Sequence, residues 1–151
     1  MIILFLSNSC VGASTTAHLS DQDYTMCIRR EEGYCSMSYS ATATTGFSVS
    51  TEPNPVSAAF GDVECLTDYL RIPGLQDSGS TATTAFVAIQ GDRICGDNWS
   101  VFPNAAGGAA TTFVTFMKPF RVGVHFGSQS GASDDAKTNG FAVYYAQSKC
   151  S

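Results

Sequence analysis

Six cysteines are the residues of this chain whose type and number point most directly to covalent chemistry. No Cys-x-x-Cys pair occurs, and the two histidines, His18 and His125, lack zinc-finger spacing, so the pattern disfavours a structural zinc site. An even number of cysteines in an oxidising compartment is typical of a disulfide framework. The sequence therefore predicts disulfides that use these positions: Cys10, Cys27, Cys35, Cys65, Cys95 and Cys150.

The spacing of the cysteines predicts three pairs. Cys27 and Cys35 enclose a short charged tip, so two strands joined there would bring these thiols opposite each other. An alternating strand starts just after Cys65, and Cys95 is followed at once by a glycine turn, which favours closure of a longer loop. Cys10 and Cys150 then remain to tie the two termini together. If a leader is cleaved after Ala13, Cys150 becomes instead an odd thiol that can pair with another chain.

No group of residues has the composition of a catalytic site. The stretch 76–79 (Gln-Asp-Ser-Gly) resembles the nucleophile loop of serine proteases but lacks the flanking glycines. His18 lies in a polar stretch and His125 alternates within a strand pattern, so neither is expected to act as the base that a nucleophilic serine needs. The adjacent carboxylates at 31–32 and 134–135 are expected to be solvated loop charges. The sequence predicts a protein that is not an enzyme.

Strand-like alternation dominates the elements that would position these residues. Aromatic and β-branched residues recur every second position, and no segment shows an apolar stripe with helical period. Glycine, proline and asparagine separate the segments as turn signals. The pattern predicts an antiparallel β-sandwich. Its clearest strand segments are 34–39, 47–49, 69–72, 86–89, 113–116, 120–126 and 141–145.

Length and charge exclude several classes of protein. The chain has 151 residues, of which 14% are charged, and its net charge is −5 from 8 basic and 13 acidic residues. One domain of this size can bury a substantial core. Because no run of basic residues is present, nucleic-acid binding is not expected. No apolar run reaches the roughly 18 residues of a membrane span.

The first residues resemble an incomplete targeting segment. Residues 1–6 are apolar and 11–13 (Val-Gly-Ala) look like a cleavage site, but the apolar core is short and no Lys or Arg precedes it. Two interpretations follow, a truncated signal peptide or an internal strand exposed by an incomplete gene model, and the second is favoured. We therefore divide the chain into a leader or linker remnant over 1–17 and one domain over 18–151.

Four motifs make the chain resemble CUB domains, which are extracellular β-sandwich binding modules. The box over 27–39 and the stretch over 18–24 resemble more particularly the CUB-type domains of secreted arthropod proteins. The four motifs are Cys65-x-x-Asp68-Tyr69-Leu70-x-Ile72, Cys95-Gly96, Phe120-x-Val122-x-Val124 and Gly140-Phe141-x-Val143-x-Tyr145.

The resemblance implies an all-β, antiparallel, jelly-roll-like sandwich (CUB-like) with disulfides, in which Cys65 and Cys95 form the central bond. It implies a secreted, non-catalytic module that recognises an extracellular protein or glycan, often within a longer chain of several domains. A structural protein of matrix or cuticle, in which the domain serves assembly, is the alternative. An intermolecular bond through Cys10 or Cys150 would support that alternative.

The resemblance also raises the question of calcium. Many CUB domains hold this ion with a Glu, the Asp of Cys-x-x-Asp and a further Asp, and Asp68 matches the middle ligand. Glu52 is displaced from the expected place, and Gln129 falls where an Asp is usual; Asp134 or Asp135 would substitute only if their loop folds back. Calcium takes six to eight oxygen ligands. The favoured interpretation is that Asp68 caps a turn beside the disulfide.

Asn98 begins a glycosylation sequon, Asn98-Trp99-Ser100, directly after Cys95-Gly96. The sequon gains weight because the cysteines already indicate secretion. Trp99, the single tryptophan, is either a lid on the core or an exposed binding aromatic, and the core position is favoured.

Overall fold

Strands account for the regular structure in the computed structural model, which describes residues 4–7, 21–41, 46–50, 59–60, 65–77, 87–88, 91–96, 99, 112–128 and 140–150. Within these ranges no helix occurs, and no helix is long and apolar enough to cross a membrane. The strands are β1 (Leu4–Ser7), β2 (Gln22–Cys27), β3 (Tyr34–Ala41), β4 (Phe47–Ser48), β5 (Ala59–Phe60), β6 (Asp68–Arg71), β7 (Leu75–Asp77), β8 (Val87–Ala88), β9 (Arg93–Cys95), β10 (Phe113–Thr115), β11 (Arg121–Phe126) and β12 (Gly140–Lys149).

The strands form two antiparallel sheets. One has seven strands in the order β1-β12-β3-β10-β7-β8, with β4 paired to β12, and the other has five in the order β2-β11-β6-β9-β5. The predicted antiparallel β-sandwich is therefore confirmed. The predicted strand segments are present with shifted ends; for example, the expected 141–145 segment is a strand at Gly140–Lys149.

Alternation along the strands explains which faces meet. In β3, Met37, Tyr39 and Ala41 are buried and share one face of the strand. In β11, Val122 and Val124 are buried, and Gly123 between them faces the other side of the sheet. Successive side chains of a strand point to opposite faces, so each sheet turns one apolar face to the other sheet.

Trp99 lies at the centre of the buried core. Its side chain is fully buried, and its ring packs edge-on against Phe47 and Phe113, each with a centroid separation of 5.1 Å. Edge-to-face pairs at this separation stabilise an aromatic core beyond the area that they bury. The favoured interpretation of Trp99 as a core residue is confirmed.

Two disulfides close the described part of the fold, and one of them follows the prediction. Cys65 pairs with Cys95, whose Cα atoms are 5.6 Å apart, as expected. Cys35 pairs with Cys150, with a Cα separation of 4.9 Å, so the predicted Cys27–Cys35 and Cys10–Cys150 pairs are wrong. Cys27 is exposed and forms no disulfide with another described cysteine. Cys10 lies outside the described residues.

The error in the Cys27–Cys35 pairing has a topological cause. The strands β2 and β3 are not a hairpin, because β2 pairs with β11 in the five-stranded sheet and β3 pairs with β10 and β12 in the other. Cys27 therefore lies opposite Arg121. In the seven-stranded sheet Tyr34 lies opposite Lys149, and the residues that follow these two in the chain, Cys35 and Cys150, are the ones that bond.

Candidate functional site

The outer face of the five-stranded sheet carries a row of aromatic and charged side chains. The strand register places Asp23 of β2 opposite His125 of β11, and His125 opposite Tyr69 of β6. The inward neighbours of these residues, such as Val124 and Leu70, are buried, so the row points to the opposite side of the sheet. Three adjacent strands therefore present one continuous line of polar groups on a rigid scaffold.

Tyr69 is the centre of this row. Its ring stacks on the His125 imidazole with a centroid separation of 4.9 Å and an interplanar angle of 28°. The guanidinium of Arg93 lies over the Tyr69 ring, 4.4 Å from its centroid, which is cation–π geometry. The imidazole Nδ1 lies 3.5 Å from a carboxylate oxygen of Asp23. The aromatic pair is thus held from both sides before any ligand arrives.

Arg93 also connects this row to the central disulfide. Its guanidinium donates a hydrogen bond of 3.0 Å to the carbonyl of Cys65, which is bonded to Cys95 two residues beyond Arg93. The Cys65–Cys95 bond therefore fixes the strand ends from which Tyr69 and Arg93 project. Cross-links of this kind reduce the conformational freedom that a ligand would otherwise have to remove.

A second row runs beside the first. Here the register aligns Thr25, Gly123, Arg71 and Arg93 on four neighbouring strands. The Arg71 side chain is 60% exposed, and its Nε donates to a carboxylate oxygen of Asp92 at 2.7 Å. A Cβ at Gly123 would lie 3.3 Å from the Cβ of Arg71. Because glycine has no side chain, the sheet surface has a shallow depression between the polar side chains at this position. We call the residues Asp23, Thr25, Tyr69, Arg71, Arg93, Gly123 and His125 the outer-face site.

Asp68 lies at the start of β6, at the end of this sheet. Its Oδ1 accepts a hydrogen bond of 2.7 Å from the backbone N–H of Gly127, which also donates to the Thr67 carbonyl at 3.2 Å. The carboxylate therefore holds the chain where it leaves β11, next to the Cys65–Cys95 bond. This geometry agrees with the role of a turn cap that the sequence favours.

The described residues leave calcium binding at Asp68 as a prediction. One oxygen of its carboxylate is engaged by Gly127, and no group of three or more His, Cys, Asp or Glu side chains suited to a metal occurs within the described ranges. Glu52, Asp134 and Asp135 lie outside those ranges. Six to eight oxygen ligands are needed, and a single carboxylate does not supply them.

The other candidate residues from the sequence analysis lie partly in the described structure and partly outside it. His125, expected to be a surface or half-buried strand histidine, is half-buried and belongs to the outer-face site. His18, Ser78 and Asn98 lie outside the described residues, so the sequon stays a prediction. The acidic pair at 31–32 lies in the exposed segment between β2 and β3.

The sequence pattern did not predict the outer-face site itself. Alternation within β6 and β11 predicts that Tyr69 shares a face with Arg71, and that Gly123 shares one with His125. It does not say that β6 and β11 are neighbours, because the two strands are far apart in the chain and the strands β7 to β10 lie between them in sequence. Tyr69 and His125 are brought together only by the pairing of the two strands.

The fold defines a class of protein: a disulfide-linked, antiparallel β-sandwich with ordered polar groups on the outer face of one sheet. A family model described as the animal CUB domain matches residues 7–148. The chain belongs to this family, whose members are generally extracellular, non-catalytic modules that bind proteins or glycans. No curated protein and no solved structure matches the chain.

Proposed function

We propose that this protein is a secreted, non-catalytic recognition module that binds an extracellular protein or glycan through the outer-face site. The ordered stack of Arg93, Tyr69 and His125 is the observation that carries the proposal. Aromatic and arginine side chains are the types most often found at the energetic centre of binding surfaces. The likeness to secreted arthropod proteins is part of this proposal and rests on the sequence motifs alone.

The chemistry of the outer-face site suits a ligand with both flat apolar and anionic parts. The edges of the stacked Tyr69 and His125 rings offer an apolar surface that a sugar ring or a side chain can contact, and the exposed side chain of Arg71, whose guanidinium is paired with Asp92, adds a cation beside them. Planar guanidinium groups bind carboxylate and sulfate oxygens through paired hydrogen bonds. The shallow depression at Gly123 lets a ligand approach the sheet backbone between these groups.

The test compares variants on the outer faces of the two sheets. Labelled protein would be applied to a printed array of neutral, carboxylated and sulfated oligosaccharides, and to extracellular proteins captured by cross-linking. We expect binding to fall at least about tenfold in Arg71→Gln/His125→Ser, since each lost contact to a charged group contributes on the order of 1 kcal/mol.

The matched control is Lys149→Gln/Tyr144→Ser, which removes one cation and one exposed ring from β12 of the other sheet. This control is expected to bind as the wild type does. Equal binding by both double variants, or loss in the control alone, would contradict the proposed site. Far-ultraviolet circular dichroism of each variant checks that the fold is retained.

Assembly into an extracellular matrix is the alternative function. Cys150 is bonded to Cys35, so a bond between chains would have to use Cys10 or the exposed Cys27. Non-reducing electrophoresis of the secreted protein separates the two functions. Covalent dimers that disappear in Cys10→Ser or Cys27→Ser would favour assembly, whereas a monomer would favour recognition.

Glycosylation at Asn98 is part of the proposed secreted state. The sequon follows the Cys95–Gly96 turn, and the cysteines that suggest an oxidising compartment also suggest passage through the compartment in which N-glycans are attached. A mass shift that is lost in Asn98→Gln would support it, and unmodified protein from a secreting cell would contradict it.

A further inference from the structure

A cleft opens at the end of the five-stranded sheet, away from the row of Tyr69 and His125. The β2–β11 ladder extends by one bond beyond the strands, from the N–H of Ile28 to the carbonyl of Phe120 at 2.9 Å. Beyond that bond, the segment after β2 and the segment before β11 line an open cleft of about 640 Å³. This volume is in the range of ligand sites. We call it the basic cleft; its lining residues are Ile28, Arg29, Arg30, Lys118, Pro119 and Phe120.

The charge of the basic cleft is opposite to that of the whole chain. Three of its six lining residues are cations and none is an acid, whereas the chain carries 8 basic and 13 acidic residues. Arg121, exposed at the start of β11, adds a further cation next to Phe120. Glu31 and Glu32 follow Arg30 in sequence but do not line the cleft. A concentration of one charge in a concave site favours ligands of the opposite charge.

The arginine-bearing wall of the cleft is held in place by β12. Buried Gln147 accepts a hydrogen bond of 3.0 Å from the N–H of Glu31 and donates one of 2.9 Å to the carbonyl of Arg29. The N–H of Cys150 donates to the carbonyl of Gly33 at 2.9 Å, and Cys150 is bonded to Cys35. The backbone on both sides of Arg30 is therefore fixed, which lowers the entropy cost of binding.

Exposed apolar side chains lie in the segment that leads into the other wall. Phe116 is 47% and Met117 is 55% exposed, and both precede Lys118 in the connection between β10 and β11; they lie outside the cleft lining, and Met117 packs over Gly74. Large exposed apolar groups beside cations are common where another molecule docks. Methionine in particular adapts its shape to different partners.

Together these observations favour one kind of occupant. Cations alone would suit a sulfated glycan, but such a ligand has no large apolar group to contact the exposed Phe116 and Met117. A flat anionic membrane would contact the apolar residues but would not fill a concave cleft. A peptide segment that carries acidic residues and an apolar side chain uses both features.

We propose that the basic cleft docks an acidic segment of a partner protein. Carboxylates of the segment pair with Arg29, Arg30 and Lys118, and one apolar side chain of the segment packs against Phe116 and Met117. This site is separate from the outer-face site, and it gives the module a second point of attachment to its ligand or to a neighbouring chain.

The experiment uses an immobilised array of twelve-residue peptides in which the number of acidic residues and the position of a single phenylalanine vary. The best peptide is then measured in solution with a fluorescent label, against the whole protein. We expect binding only where acidic residues and phenylalanine occur together, with a Kd that weakens as salt is raised because the exposed charges are screened. We expect Arg29→Gln/Lys118→Gln to weaken the Kd at least about tenfold and Met117→Ser to weaken it about threefold.

Lys149→Gln is the control, because it removes one exposed cation from β12 of the other sheet, and this residue does not line the basic cleft. This variant is expected to bind the peptide within about twofold of the wild type. Absence of saturable peptide binding, or equal binding by wild type and Arg29→Gln/Lys118→Gln, would overturn the proposal. A heparin-derived oligosaccharide or phosphatidylserine vesicles that bind in place of the peptide, and lose binding in the same variant, would also overturn it.

The experiments can contradict each of the two proposed sites without contradicting the other. Loss of ligand binding in Arg71→Gln/His125→Ser with retained peptide binding supports both assignments. Retained oligosaccharide or protein capture in Arg71→Gln/His125→Ser would remove the outer-face site without affecting the basic cleft.

Discussion

Tyr39 is fully buried between the sheets, yet its hydroxyl has no hydrogen-bond partner among the described residues. An unsatisfied buried hydroxyl opposes folding, because water satisfies it in the unfolded chain. Burial raises the pKa of the Tyr39 phenol above its ordinary value, and the nearby Tyr145 raises it further. The residue contributes a large aromatic surface to the core at the expense of a polar atom.

Replacement of Tyr39 by phenylalanine is therefore expected to stabilise the protein. The ring remains in the core and only the unpaired hydroxyl is removed, so the free energy of unfolding should rise by about 1 kcal/mol. Urea unfolding followed by tryptophan fluorescence measures the change. A decrease of more than about 1 kcal/mol would show that the hydroxyl has a partner.

The buried phenol of Tyr39 also makes the free energy of unfolding depend on pH. Because the folded-state pKa of Tyr39 is raised, the unfolded chain loses this proton first as pH rises above about 10. The free energy of unfolding should thus be unaffected by this group below that pH and should fall above it. Tyr39→Phe should reduce the alkaline slope without abolishing it, since burial also raises the pKa of Tyr24 and Tyr145. An unchanged slope would contradict this account.

Asp68 is expected to contribute to stability as a cap. Asp68→Ala removes one of the two acceptors of the Gly127 N–H, the other being the Thr67 carbonyl, and should lower the free energy of unfolding by about 1 kcal/mol, while Asp68→Asn keeps an acceptor and should lose less. Thermal unfolding with and without millimolar calcium measures both effects. A calcium-dependent rise in Tm that is absent in Asp68→Ala would contradict the cap as the main role of this residue.

At the scale of elements, the connection from β2 to β3 determines the disulfide framework. It carries the chain from the five-stranded to the seven-stranded sheet, so Cys27 and Cys35 end in different sheets. Cys35 is then next to Cys150 at the end of the β3–β12 ladder. This bond joins residues 115 apart in sequence and ties the last strand to the centre of its sheet.

Peptide mapping under non-reducing conditions tests this framework. A fragment containing Cys35 should be linked to one containing Cys150, and Cys65 to Cys95. Cys35→Ala/Cys150→Ala should destabilise the protein by roughly 2–5 kcal/mol, because a long loop regains its freedom in the unfolded state. A fragment in which Cys35 is linked to Cys27 would contradict the strand order.

The sequence predicted the strands far better than their partners. Alternation in 34–39 and 120–126 is a local property, so it identified β3 and β11 as strands. The crossing between sheets after Cys27 is not local, and a short charged loop looks the same whether it closes a hairpin or joins two sheets. For the same reason Tyr69 and His125 were each visible in the sequence, whereas their stack required the β6–β11 register.

At the scale of the whole molecule, both proposed sites lie on the five-stranded sheet. The five-stranded sheet carries the stack of Tyr69 and His125 on its outer face and the basic cleft at one end. The seven-stranded sheet supplies Gln147 and the Cys35–Cys150 bond, which hold the wall of that cleft. In this proposal, the five-stranded sheet provides the binding surfaces and the seven-stranded sheet supports them.

The most direct test of the central claim is hydrogen exchange of the protein with and without the ligand that it captures. We predict slower exchange in β6 and β11, around Tyr69, Arg71 and Gly123, because a ligand on the outer-face site would cover these strands. Exchange around Tyr144 in β12 should be unchanged. Protection confined to β3 and β12, with none in β6 and β11, would contradict the account.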